Sequence, residues 1–114
     1  MTAIIQLAKW RGSNFERRIA KLIKGVVVGS SKAVKVNDRY ISVDCQQPPD
    51  VINEWLSVEC KYYKHLPAWL IKVMAQAIHN APAGLIPVAW VGDRKERNRF
   101  VIMSEQDFLD LHER

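Results

Sequence analysis

From Trp55 to Tyr63 the residues alternate so regularly that an extended strand is the one element able to use the pattern. Leu56, Val58, Cys60 and Tyr62 fall on one face, and Ser57, Glu59, Lys61 and Tyr63 fall on the other. The first face suits a core. The second brings Glu59 and Lys61 out together, two residues apart, while Cys60 turns inward and offers only its backbone carbonyl. Pro48-Pro49 breaks the chain just before Asp50, and Asp50 precedes Glu59 by nine residues. A tight turn through Asn53-Glu54 returns the chain antiparallel and sets Asp50 against Glu59. Two carboxylates, a carbonyl and waters form an oxygen shell suited to magnesium, which keeps several waters and binds through one or two carboxylates plus substrate phosphate. A bound metal stabilises charge on a phosphate and acidifies water. Lys61 beside it is placed to orient that water or to stabilise the negative charge that develops. The plain alternative is a half-exposed strand carrying an ion pair between Glu59 and Lys61, because Glu-x-Lys alone is common.

The remaining chain reads as one domain. At 114 residues, 48% of them hydrophobic, it is long enough for a single core and too short for two. Ser13-Asn14-Phe15-Glu16 has the form of a capping box, and Phe15, Ile19, Leu22 and Ile23 follow at helical spacing up to Gly25. Val26–Val28 and Ala33–Val36 read as strands around the turn Gly29-Ser30-Ser31, and Tyr40–Cys45 as another. Pro67 opens a second helix with Trp69, Leu70, Val73, Met74 and Ala77 inward, ending near Asn80-Ala81-Pro82 and Gly84. Ile86–Val91 is a continuous apolar run typical of a buried central strand. Phe100–Met103 gives a last strand, and Ser104 caps a helix reaching His112. This order, one helix, several strands, a helix, two strands and a helix, predicts an α/β fold with a mixed central sheet flanked by helices.

Basic residues exceed acidic ones by five, which fits a polyanionic partner such as nucleic acid. Cys45 and Cys60 lack zinc-site or CxxC spacing, so reduced thiols in an intracellular, cytoplasmic protein are expected. The histidines show no ligand spacing either, so no zinc site is expected. The first residues have no apolar segment of secretory length, and no run is long enough to cross a bilayer, so no membrane association is expected.

With Pro49, Asp50, Glu59, Cys60 and Lys61 in this order, the chain resembles the PD-(D/E)XK nuclease superfamily. The segment Gly12 to Arg17 and the small size make it most similar to the archaeal and viral Holliday junction resolvases. Virus-type replication-repair nucleases share a similar compact plan. The resemblance implies a restriction-endonuclease-like fold and a magnesium-dependent endonuclease, with manganese as a substitute metal. Asp50 and Glu59 would be metal ligands with the Cys60 carbonyl, and Lys61 the catalytic lysine. Glu16 would be a helix carboxylate near the metal, Ser30 or Ser31 the loop serine, and Gln76 a glutamine near the attacking water. Asp44 is a second candidate for the first carboxylate. The implied partner is branched, four-way DNA bound by a homodimer, since a junction presents two symmetric strands to cut.

Several residues keep two readings. Glu16 is the third helical residue of the capping box, and it also borders the apolar face between Ile23 and Ala20 on a helical wheel. Arg17, Arg18, Lys21 and Lys24 share the outer side, as phosphate contacts or as a solvated face. Arg11, Lys32, Lys64 and Lys72 join them as candidate DNA contacts. Gln76 lies beside Trp69 and Val73 and is expected to be semi-buried. Trp55, Tyr62, Tyr63 and Trp69 are able to stack on bases, though aromatics at periodic positions are usually core or interface. Arg94, Lys95, Arg97 and Arg99 form a basic turn that suits a phosphate backbone or open solvent. The alternatives to a junction resolvase are another small nuclease of the superfamily, acting on linear, flapped or single-stranded DNA, and a nucleic-acid-binding module without turnover.

Overall fold

Helix α1 runs to residue 22, and its end is dictated by backbone bonding rather than by its glycine. The computed structural model describes residues 13–43 and 47–113, which places Arg11, Asp44 and Cys45 outside the described residues. Lys24 takes the left-handed conformation at φ 55°. Its N–H donates to the Lys21 carbonyl at 3.4 Å, and the Gly25 N–H donates to the Ala20 carbonyl at 2.7 Å. This pair of bonds is the Schellman closure, with a lysine where glycine is usual. Gly25 serves a different need: a Cβ there would stand 2.7 Å from the Ile52 carbonyl oxygen.

The contacts divide the chain into two units, Met1–Tyr63 and Lys64–Arg114. In the first, α1 is followed by β1 (Val26–Val27), β2 (Ala33–Val36), β3 (Arg39–Ser42), β4 (Val51–Ile52) and β5 (Ser57–Val58). Strands β1, β4 and β5 form an antiparallel sheet in that order, and β2 pairs with β3 as a hairpin in the register Val36↔Arg39. Valines make the core. Val28, Val34, Val36 and Val43 are buried together, with Val26, Ile41 and Ile52 packed against them. The period-two pattern of β2 explains this, because Val34 and Val36 point inward while Ala33 and Lys35 face solvent.

The second unit contains α2 (Ala68–Asn80), β6 (Ala89–Gly92), β7 (Arg99–Ile102) and α3 (Glu105–Glu113). Pro67 sits at the N-cap of α2 with φ −55° and ψ 138°, one residue earlier than a first-turn proline. Ser104 caps α3 as expected, its Oγ accepting the Asp107 N–H at 3.2 Å. β6 and β7 form an antiparallel hairpin, Trp90 opposite Val101. Asp93 closes its turn: one carboxylate oxygen accepts the Arg97 N–H at 3.0 Å and the other accepts the Asn98 amide at 3.1 Å. The Asn98 and Arg97 bonds hold the Asp93 carboxyl below its usual range.

The molecule is thus a mixed α/β protein in which every strand pairing among the described residues is antiparallel. The expected order of helices and strands is present. In place of one mixed central sheet, the described pairings form a three-stranded sheet and two hairpins. The run Ile86–Val91 is not a buried central strand: Pro87 delays the strand to Ala89, only Ala89 is buried, and Trp90 is 71% exposed. Trp69 and Leu22, expected to face inward, are also exposed. No helix among the described residues is long and apolar enough to cross a membrane.

Candidate functional site

The β4–β5 hairpin places Asp50 where its chemistry has a partner. Val51 pairs with Val58 and Ile52 with Ser57, so one further step along the same register sets Asp50 opposite Glu59. The Asp50 N–H donates to the Val58 carbonyl at 2.9 Å, and the Asp50 carbonyl accepts the Val28 N–H at 3.0 Å. Asp50 is therefore pinned to both neighbouring strands of the sheet. Its side chain is fixed as well, since Oδ2 accepts the Cys60 N–H at 2.7 Å. An ionised carboxylate has about four lone-pair sites, so this bond orients the group and leaves it acceptor capacity.

The turn that creates this register is built by Asn53, a buried polar residue. Its Oδ1 accepts the N–H groups of Trp55 at 2.9 Å and Leu56 at 2.6 Å, while its Nδ2 donates to the Ile23 carbonyl at 3.1 Å. One side chain closes the hairpin and ties it to the end of α1. The sequence marks Asn53 only as a turn residue; its long-range bond to Ile23 has no local signature.

Glu16 reaches the same neighbourhood from α1. Its pKa is raised first by burial and then by the negative charges of Asp50 and Glu59, so Glu16 lies within electrostatic reach of both carboxylates. Ser13 is already helical, and a capping box would require it to stand outside the helix. Ser13 is therefore not the N-cap of this helix, contrary to the expected capping box. The Cys60 thiol is pushed up by burial and then by Asp50, Glu16 and Glu59. It remains a free, neutral thiol, half-buried rather than in the core.

Glu59 and Lys61 emerge on one side, as the alternation requires, and their side chains meet at 3.4 Å. Both are well exposed, 61% for Glu59 and 64% for Lys61, so the pair is worth little and exchanges readily. Among the described residues no three His, Cys, Asp or Glu side chains stand close enough to hold a metal ion by themselves. The donor set nevertheless suits magnesium, whose shell takes one or two carboxylates and completes itself with water and phosphate oxygens. Asp50 and Glu59 could offer two carboxylates to such a shell, and a cation there would offset the negative charge that raises the Glu16 pKa.

Phe15 on α1 stacks on Tyr62, ring centroids 5.0 Å apart at 24°. The Arg18 guanidinium lies 5.9 Å from the Phe15 ring and 5.6 Å from the Tyr62 ring. The spacing of Phe15 and Arg18 by three residues could have flagged the helix half of this group; Tyr62 required the tertiary fold.

The other expected site residues are distributed as follows. Ser30 is exposed in the turn after β1, and Arg17, Lys21 and Lys32 are exposed in the first unit. Lys64, Lys72 and Gln76 belong to the second unit, and all three are exposed, which corrects the semi-buried placement of Gln76. The basic turn Arg94 to Arg99 is exposed throughout.

In comparisons with known proteins, no family model matches the chain, and neither a curated protein nor a solved structure matches it.

Proposed function

We propose that the protein is a magnesium-dependent DNA endonuclease with a restriction-endonuclease-like plan, acting on four-way or otherwise branched DNA. The observation that supports it best is the β4–β5 register, which sets Asp50 opposite Glu59, with Lys61 beside Glu59. Asp50 and Glu59 would hold the metal with the Cys60 carbonyl, and manganese would substitute. When bound, the metal supplies charge neutralisation at the phosphate and an acidified water.

The chain's own residues supply the rest. The Cys60 N–H keeps the Asp50 carboxylate oriented. Lys61 leaves Glu59 and places its ammonium on the phosphate, where negative charge grows in the transition state. Glu16, whose pKa is raised by burial and by the charges of Asp50 and Glu59, is suited to exchange a proton with the attacking water or the leaving oxygen. The exposed basic side of α1, with Arg17 and Lys21, provides phosphate contacts that bind without cutting. A two-fold dimer would present two such sites to the paired strands of a junction.

A second reading, a nucleic-acid-binding module without turnover, draws on the Glu59–Lys61 pair, which occupies both groups with each other. Cleavage of labelled four-way junction, flap, linear duplex and single-stranded DNA, with magnesium or chelator, separates the two. Paired, symmetric nicks confined to the junction are expected, lost in Asp50→Asn. Lys61→Ala should reduce the rate by roughly 100- to 1,000-fold while junction binding in chelator stays nearly intact. Binding with no cutting of any substrate would leave the module.

A further inference from the structure

The Phe15–Tyr62–Arg18 group has a feature that simple helix-to-strand packing does not require. Tyr62 is 53% exposed although one face of its ring is covered by Phe15. The Arg18 guanidinium is nearly equidistant from the two centroids, so it stands beside the pair rather than over the far face of Tyr62. With about half of the residue exposed, Tyr62 keeps ring surface for a further partner. Tyr62 follows Lys61 directly, and Phe15 precedes Glu16, so the stack adjoins the candidate site on both of its elements. The charge around it is favourable to a polyanion, with Arg17, Arg18 and Lys21 exposed on the same helix.

We propose that Tyr62, backed by Phe15 and flanked by Arg18, is a stacking platform for an unpaired base of the DNA. This inference rests on the nucleic-acid reading above and adds the substrate feature that the site selects. A base inside a duplex has both faces occupied by its neighbours; a base at a branch point, flap or single strand has one to give. An aromatic platform accepts any such base, because each has a π-face, and Arg18 adds cation–π attraction and a phosphate contact. The platform thereby favours DNA in which pairing is interrupted next to the phosphate that Lys61 would contact, without selecting a sequence.

The test uses DNA carrying 2-aminopurine, either unpaired at a junction branch or within a fully paired arm, titrated with the full chain in chelator so that no cutting intervenes. Wild type and Tyr62→Phe should change the fluorescence of the unpaired probe strongly and that of the paired probe little. Tyr62→Ala and Tyr62→Leu should lose that change and weaken binding to unpaired DNA by roughly 5- to 100-fold, with duplex affinity held within about twofold. Circular dichroism checks that the variants are folded; Tyr62→Leu also keeps the apolar bulk over Phe15. The platform is refuted if Tyr62→Leu behaves as wild type, or if paired and unpaired DNA weaken equally. Wild type that stacks the probe but never cuts with magnesium would remove the nuclease and keep the platform. Cutting with no response at Tyr62 would do the reverse, and absence of any DNA binding would remove both.

Discussion

Asn53→Ala tests whether one buried amide sets the geometry of the candidate site. The side chain makes three hydrogen bonds, two from its oxygen to the Trp55 and Leu56 N–H groups and one from its nitrogen to the Ile23 carbonyl. At a net value of about 0.5–1.5 kcal/mol each, their loss should destabilise the first unit by roughly 2–4 kcal/mol. With a urea slope of about 1–3 kcal/mol per molar, the midpoint should fall by about 1–3 M. Asn53→Asp separates the contributions, since it keeps both acceptor bonds and replaces only the donor to Ile23. Its carboxylate then faces a carbonyl oxygen, and the cost should be about 1–3 kcal/mol. Hydrogen exchange gives the local readout: the Leu56 amide should lose protection in the alanine variant and keep most of it in the aspartate variant. Junction cleavage should fall in the alanine variant and be largely kept in the aspartate variant, because the turn bonds fix the register of Asp50 against Glu59. An alanine variant within about 0.5 kcal/mol of wild type, with the Leu56 amide still protected, would refute the reasoning.

Two more substitutions test the approach of α1 to the sheet. Gly25→Ala should destabilise by about 1–3 kcal/mol in urea unfolding, because the new Cβ meets the Ile52 backbone oxygen at 2.7 Å and backbone yields little; a neutral outcome would show that the helix end shifts freely. Glu16→Gln should stabilise the protein in chelator at neutral pH while lowering cleavage. The folded-state pKa of Glu16 is raised, so the folded protein holds the proton more tightly, and wild type loses stability as pH rises from the ordinary carboxylate range through that raised value. The advantage of glutamine should therefore grow across that window and vanish below it. A variant less stable than wild type at neutral pH would return Glu16 to a capping role.

The residues legible in the sequence are those whose signals are local. The alternation from Leu56 to Lys61 survives as the half-buried and exposed faces around Cys60, even though the paired strand is only Ser57–Val58. The juxtaposition of Asp50 and Glu59 was readable for the same reason, since a short turn and a period of two leave one register. The Ser104 cap needs only its own helix. What escaped depends on distant partners. A helical wheel gives Leu22 and Trp69 an apolar face without saying what covers it. The run Ile86–Val91 is apolar enough for a central strand, yet Pro87 and the hairpin turn held by Asp93 restrict pairing to Ala89–Gly92. The bond from Asn53 to Ile23 and the stack of Tyr62 on Phe15 cross most of the first unit's sequence, where periodicity carries no information.

The candidate site combines a rigid part with a loose one, and this difference bears on how it would work. Asp50 is held by two backbone bonds and one side-chain bond, so its carboxylate is oriented before any ligand arrives. Glu59 and Lys61 are exposed and pair with each other. Their pair is worth about 0–1 kcal/mol at such exposure, so a phosphate and a divalent cation, each carrying a stronger charge interaction, readily draw them apart. Under the proposed function, separation would convert one self-neutralised pair into a metal ligand and a cation that both act on the same phosphate. Cys60 between them stays out of this exchange: its raised pKa keeps the thiol protonated, and a neutral thiol is a poor ligand for a hard cation. The strand thus sorts its groups by position, with the Glu59 carboxylate and Lys61 ammonium on the exposed side and the Cys60 sulfur on the half-buried side, which is the arrangement that the proposed magnesium-dependent cut would use.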